Sequence, residues 1–283
     1  MSNPSLDKEV ELVMSLLNKT SDSPSAQLPD PPLTREIKSW QELSEHELQE
    51  LVESNLTLDQ IKGLRQLLQS VEPCDGNVNL KHPFSMIIAG PSQSGKSSLT
   101  RKILESDIIT PAPQKVIWAY AEWQPLYDDM KKTGLVDYFV EGLEFEELVD
   151  GMTPTLLVID DLQDEASCDK TIADWFKRKC HHRNLSIIFI VQNLFFQGKK
   201  SVDISRNAHY VIVFKNPSDK RQINTFAQKS FPGHIPFITQ LYSDVCSKAH
   251  GYLLFDFTQT ADEAVRIRTG ITKGEKLQCF VPS

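Results

Sequence analysis

No apolar run in this 283-residue sequence approaches the roughly 18 residues needed to span a bilayer. The first residues, Met1-Ser2-Asn3-Pro4, lack a basic-then-apolar signal pattern. Both absences argue against an integral membrane or secreted protein. Cysteine is sparse: Cys74, Cys168, Cys180, Cys246 and Cys279 are odd in number and widely spaced. That pattern predicts free thiols in a reducing compartment and no disulfide framework. Cys180-His181-His182 has no second ligand pair at zinc spacing. No local pattern suggests a Ser/His/Asp or Cys/His nucleophile, and no internal repeat is visible. What is present is ordinary globular composition, 40% hydrophobic and 24% charged. The length suits one or two domains with a full core.

The net charge of −8 hides an asymmetry. Residues 1–80 carry −8, residues 81–170 carry −8, and residues 171–283 carry +8. The basic segment clusters Lys177-Arg178-Lys179, His181-His182-Arg183 and Lys199-Lys200. Residues 1–34 read as a flexible N-terminal segment and linker, with a Ser/Pro/Asp-rich stretch over 21–33. Ser44 with Glu47 and Thr57 with Gln60 have capping-box spacing, and leucines follow each at helical intervals. These predict a helical hairpin within 35–75. From residue 76 onward the pattern predicts one α/β domain. The short apolar runs Phe84–Ala89, Val116–Tyr120, Thr155–Ile159, Ser186–Val191 and Tyr210–Phe214 alternate with helical stretches, which predicts a mainly parallel sheet.

Gly90-Pro91-Ser92-Gln93-Ser94-Gly95-Lys96-Ser97 matches G-x-x-x-x-G-K-[ST] and lies between a predicted strand and a predicted helix. Backbone N–H groups of such a loop, continuing to Ser98, cradle phosphate, and the helix N-terminus adds partial positive charge. Lys96 would reach the β- and γ-phosphates and Ser97 would bind Mg²⁺. This predicts a nucleoside triphosphate site. The strand Thr155–Ile159 ends in Asp160-Asp161, which places Asp160 to hold Mg²⁺ and Asp161 to prepare the attacking water. Asp161 is one methylene shorter than the more usual Glu, and Glu165 is the fallback. The next strand ends in Gln192, an amide able to meet the γ-phosphate or the water. Arg206 and Arg221 flank the Tyr210–Phe214 run and are the candidate arginine fingers.

The segments GPSQSGKSS, YAEWQPLYDDM, LLVIDDL, IIFIVQNLFFQGKK…SRNAHYVIVFKNPSDKRQI and GYLLFDFTQ occur in one order. In that order and spacing, over about residues 82–270, the sequence resembles the FtsK/HerA-superfamily genome-packaging ATPases of large DNA viruses. The nearest look is to Maverick/Polinton and adintovirus-type, poxvirus-like members. The resemblance implies a RecA-like P-loop NTPase core, hydrolysis of ATP with Mg²⁺, and a hexameric or pentameric ring that moves double-stranded DNA into a preformed capsid. It implies a capsid or portal-vertex partner, no membrane, and a place in the host nucleus or virus assembly site. Lys96 and Ser97 then correspond to Walker A, Asp160 to Walker B and Gln192 to the polar strand-end residue. Arg221 falls where the finger is expected, with Arg206 in competition. Lys177, Arg178, Lys179, Arg183, Lys199 and Lys200 become candidates for sequence-independent phosphate contacts. Two other readings remain: an AAA+-type helicase-loader or transposition-helper ATPase, and a degenerate nucleotide-binding capsid-docking protein.

Overall fold

The computed structural model describes residues 71–72, 78–163, 175, 183–195, 207–219 and 221–282. The chain divides into two compact units, Met1–Pro73 with Ser283 and Cys74–Pro282. In the first, Val71–Glu72 is a strand, not the end of a helical hairpin. Glu72 precedes Pro73, and the proline ring disfavours helical backbone at the residue before it. The rest of the predicted hairpin and linker lies outside the described residues.

The second unit is built on one large sheet. Its first pieces are β1 (Leu80–Lys81), β2 (Ser85–Ala89), α1 (Lys96–Glu105), β3 (Ile109–Thr110), β4 (Lys115–Tyr120), α2 (Pro125–Thr133) and β5 (Tyr138–Glu141). There follow β6 (Thr155–Asp160), β7 (Leu185–Val191), β8 (Tyr210–Phe214), α3 (Arg221–Ser230), α4 (Ile235–Val245), β9 (Tyr252–Asp256), β10 (Ile267–Thr269) and β11 (Gln278–Phe280). The strand order is β11-β10-β9-β8-β2-β7-β6-β4-β5, and β1 pairs with β3 apart from it. From β8 through β5 every pairing is parallel. β9, β10 and β11 continue the sheet antiparallel. The five apolar runs are therefore the strands β2, β4, β6, β7 and β8. The remaining strands are short or lie toward the edges, where their patterns are weak.

Continuous apolar strands need cover on both faces. Alternate residues sort into two layers. Met86, Ile88, Trp118, Val158 and Ile190 share a core with Leu99 and Ile103 of α1 and Tyr127 and Met130 of α2. On the other face Phe226 of α3 packs against Phe255 of β9, ring centroids 4.8 Å apart. Pro125 sits in the first turn of α2 and Gly134 ends it at φ 67°, so this helix begins and stops where its sequence dictates. Among the described residues no helix is long and apolar enough to cross a membrane. Cys246 is free, whereas Cys279 is disulfide-bonded, against the expectation of free thiols throughout. Cysteine spacing along the chain carries no information about which thiols the fold brings together.

The antiparallel extension is pinned by a buried charge pair. The Arg268 side chain, 1% exposed, donates to Asp256 Oδ2 at 3.2 Å and to the Val265 carbonyl at 2.6 Å. Asp256 Oδ1 also accepts from the Thr258 backbone N–H and hydroxyl. Removing one partner strands the other charge. Arg268→Ala should cost about 3 kcal/mol of unfolding free energy, read by urea denaturation. The Arg268→Ala/Asp256→Ala double variant should recover part of that loss; a single variant of unchanged stability would contradict the pairing.

Candidate nucleotide site

The site is a cleft of about 440 Å³ at the carboxyl ends of the parallel strands. Its floor is the loop from β2 to α1. Gly90 N–H donates to the Val191 carbonyl at 3.2 Å, which joins the loop to the end of β7. A Cβ at Gly90 would lie 2.7 Å from Phe214 Cβ and 2.7 Å from Ser94 Oγ. Glycine is thus required here by crowding from β8. Gly95, the α1 N-cap, is required by its backbone at φ 103°. Lys96 Nζ donates to the carbonyls of Gly90 and Pro91 at 2.8 and 2.9 Å. Burial lowers its pKa, and the charges of Asp160 and Asp161 partly restore it. Ser92, Gln93, Gly95, Lys96, Ser97 and Ser98 all line the cleft.

Sheet order sets the opposite wall. β7 lies between β2 and β6, so the loop, Gln192 and Asp160 come from three adjacent strands. Asp160, 3% exposed, ends β6. Its Oδ2 accepts from Ser97 Oγ at 2.8 Å and from the Tyr127 hydroxyl at 2.9 Å. Burial raises the Asp160 pKa; the bonds from Ser97 and Tyr127 oppose the rise. Asp161 takes φ 58°, a left-handed conformation that Asp tolerates better than most residues. Its Oδ1 accepts from Gln192 Nε2 at 2.9 Å. The backbone N–H of Gln192 donates to Gln163 Oε1 at 3.0 Å. The two residues expected to handle the attacking water are therefore one hydrogen-bonded pair at the cleft.

Mg²⁺ prefers oxygen ligands and uses one or two carboxylates with phosphates and waters completing its shell. Ser97 Oγ and the Asp160 carboxylate fit that donor set. Among the described residues no group of three or more His, Cys, Asp or Glu forms a dedicated metal cage.

Three residues at the site were not picked out for it from the sequence. Tyr127 lies inside a segment that carried only the family likeness. Gln163 follows the acidic pair. His250 sits just before β9 at φ 59° and places Nδ1 2.9 Å from the Ser94 carbonyl oxygen. Gly251 makes that approach possible, since a Cβ there would fall 2.4 Å from the Val245 carbonyl oxygen. A histidine-glycine pair before a strand is the one local hint.

Two other candidates among the described residues do not line the cleft. Arg221 opens α3, exposed, and does not line it. Arg183 stacks on the Trp175 ring at 5.7 Å, near the start of β7 and so at the far end of that strand from Gln192. Arg206, Glu165, Lys177, Arg178, Lys179, Lys199 and Lys200 lie outside the described residues.

With the central strand order, the phosphate loop and the strand-end carboxylate in place, the fold is a RecA-like P-loop NTPase core. No family model matches the sequence, and no curated relative does. Solved structures similar to this chain include the DNA-packaging ATPase B204 of Sulfolobus turreted icosahedral virus, at 15% identity and TM-score 0.45, covering 69% of this chain and 96% of that one. The genome packaging NTPase B204 of Sulfolobus turreted icosahedral virus 2, in complex with ATP-gammaS, is 16% identical with TM-score 0.43 over 69% and 96%. The cytoplasmic domain of the Thermomonospora curvata Type VII secretion ATPase EccC is 13% identical with TM-score 0.41, over 70% of this chain and 25% of that one. Likenesses this distant carry no functional argument.

The raised pKa of Asp160 has two consequences. Its buried charge costs stability at neutral pH, and that cost is relieved as pH falls through the raised folded value. Asp160→Asn should therefore raise the thermal midpoint of the nucleotide-free protein, by about 2–4 °C, and should abolish any gain in nucleotide affinity on addition of Mg²⁺. In the unmodified protein that gain should fade on acidification at a higher pH than an exposed carboxylate would dictate. A lowered midpoint in Asp160→Asn would show that the carboxylate's hydrogen bonds outweigh its desolvation.

Proposed function

We propose that this chain is a Mg²⁺-dependent ATPase motor that moves double-stranded DNA into a preformed capsid. The observation that carries the ATPase reading is the convergence of three units in one cleft: the phosphate loop, the Ser97–Asp160 pair and the Asp161–Gln192 pair. The DNA-packaging reading rests on the ordered likeness of five segments to viral packaging ATPases. In this reading the loop N–H groups and the α1 N-terminus bind the phosphates. Lys96 exchanges its bonds to the Gly90 and Pro91 carbonyls for β- and γ-phosphate oxygens. Ser97 and Asp160 hold Mg²⁺, which when bound would neutralise phosphate charge. Asp161, oriented by the Gln192 amide, takes the proton of the attacking water. Arg221 stands exposed at the start of α3, after β8, and does not line its own cleft. That placement suits donation to the site of a neighbouring subunit in a hexameric or pentameric ring, with Arg206 as the alternative donor. DNA is gripped by the basic segment, the capsid or its portal vertex is the docking partner, and the motor acts at the host nucleus or virus assembly site.

The AAA+ reading needs a helical lid separate from the core. Here α3 and α4 lie between β8 and β9, which are antiparallel neighbours in the same sheet. That favours the packaging reading. The degenerate-site reading is disfavoured by intact Lys96, Ser97 and Asp160.

The test is steady-state Mg²⁺-ATPase activity with and without long duplex DNA at two salt concentrations, with Lys96→Ala as the blank. Duplex DNA should stimulate hydrolysis, the stimulation should weaken steeply as salt rises, and Lys96→Ala should lower kcat about 100-fold or more. Hydrolysis indifferent to DNA would remove the translocase reading. Nucleotide binding without hydrolysis in an assembled ring would remove the ATPase reading as well.

A further inference from the structure

Asp160 is the buried carboxylate on which the proposed cation site turns, and one of its two donors comes from outside every phosphate-binding motif. Tyr127 is on α2, fully buried. Its ring is held by Trp118, Tyr120, Trp123 and Phe139, with centroids 5.5, 5.6, 5.6 and 5.7 Å away. Trp118 and Tyr120 stand on β4, where Tyr120 pairs with Asp160 across the sheet. Phe139 stands on β5, so aromatic rings from two strands and the β4–α2 connection fix the direction of the phenol. Its hydroxyl donates to Asp160 Oδ2 at 2.9 Å. The same oxygen accepts from Ser97 Oγ at 2.8 Å.

These two donors have different fates. The Ser97 hydroxyl can turn a lone pair to a cation and still donate its proton to Asp160, so its direction has two demands to meet at once. A buried carboxylate oxygen without a donor is costly. Tyr127 does not line the cleft, and its packed ring leaves its hydroxyl only Asp160 to serve. We propose that Tyr127 is a positioning residue of the cation site, which holds the Asp160 carboxylate in its metal-binding orientation when Ser97 is drawn to the cation. This rests on the reading of the cleft as a Mg²⁺-nucleotide site. Its consequence is specific: loss of the hydroxyl should weaken cation binding without weakening phosphate binding by the loop.

The experiment uses the full chain and a fluorescent N-methylanthraniloyl-ATP, titrated with and without Mg²⁺. In Tyr127→Phe the metal-free affinity should match the unmodified protein, while the Mg²⁺ concentration giving half the affinity gain should rise about 10-fold or more. In an Asp160→Asn background Tyr127→Phe should add no further loss. Mn²⁺ binding to the nucleotide-loaded protein, followed by electron paramagnetic resonance, should fall in parallel and reads the site without turnover. A folded Tyr127→Phe protein with unchanged Mg²⁺ and Mn²⁺ affinity overturns the proposal. So does an equal loss of metal-free nucleotide binding, which is what general slackening of the cleft would produce. If Tyr127→Phe shows no folding transition, 4-methylphenylalanine at position 127 fills the hydroxyl's space without a donor. It should show the same selective loss, and unchanged Mg²⁺ affinity there overturns the proposal too. Should the unmodified protein gain nothing from Mg²⁺, the reading of the cleft fails, and it fails separately from the role of Tyr127.

Discussion

A carboxylate buried at the end of a parallel strand is the constraint around which the rest of this domain is arranged. Asp160 would prefer water. It stays in place because Ser97 and Tyr127 both donate to one of its oxygens and Lys96 lies near enough to oppose its charge. Ser97 is there because Gly95 turns the chain into α1, and Tyr127 because Pro125 starts α2 beside the aromatic layer. The carboxylate therefore ties the first turns of two helices to the end of β6. In the proposed function that electrostatic strain is also its use, since a bound divalent cation would relieve the unfavourable burial that the protein alone must carry.

The loop on the opposite side depends on packing rather than charge. Gly90 is caught between Phe214 of β8 and Ser94 of its own loop, with no room for a methyl group. Phe214 in turn pairs in register with Tyr252 of β9. The phosphate loop is thus met twice from this part of the sheet, by Phe214 of β8 at Gly90 and by His250, just before β9, at the Ser94 carbonyl. The Arg268–Asp256 pair braces that extension from the far side of β9.

What the sequence made legible follows from how local each signal is. The phosphate loop is eight consecutive residues with two glycines, a lysine and a hydroxyl. The strand before Asp160 is an unbroken apolar run ended by acids, so both the run and its tip can be read in place. Burial on both faces makes such runs continuous, and all five appeared as strands within a residue of their observed starts. Tyr127 and His250 could not be read this way. Their partners are 33 and 156 residues away, and an aromatic in a helix or a histidine before a glycine looks the same with or without them. The short strands β10 and β11 carry too few residues for a period to show. Arg183 shows a contact that its sequence cluster did not reveal. It belongs to a basic cluster in sequence, and its guanidinium lies over the Trp175 ring, 5.7 Å from the centroid.

The pairing of Asp161 with Gln192 bears on the shorter acid at the position proposed to prepare the water. A glutamate could reach the water from a strand end by side-chain length alone. Aspartate is one methylene short, and the backbone at Asp161 departs into the left-handed region, which redirects the carboxylate. The Gln192 amide then fixes one of its oxygens from the neighbouring strand, 2.9 Å away. Reach is thereby exchanged for orientation: a short side chain on a turned backbone, held by a strand-end amide, has fewer rotamers to lose than a free glutamate does. The geometry makes Gln192 and Asp161 interdependent. Replacement of Asp161 by glutamate would lengthen the acid while leaving the amide in its present place, and the two could not both keep their positions. The aspartate is therefore consistent with a working site whose parts were matched to one another, and its shortness is no sign of decay.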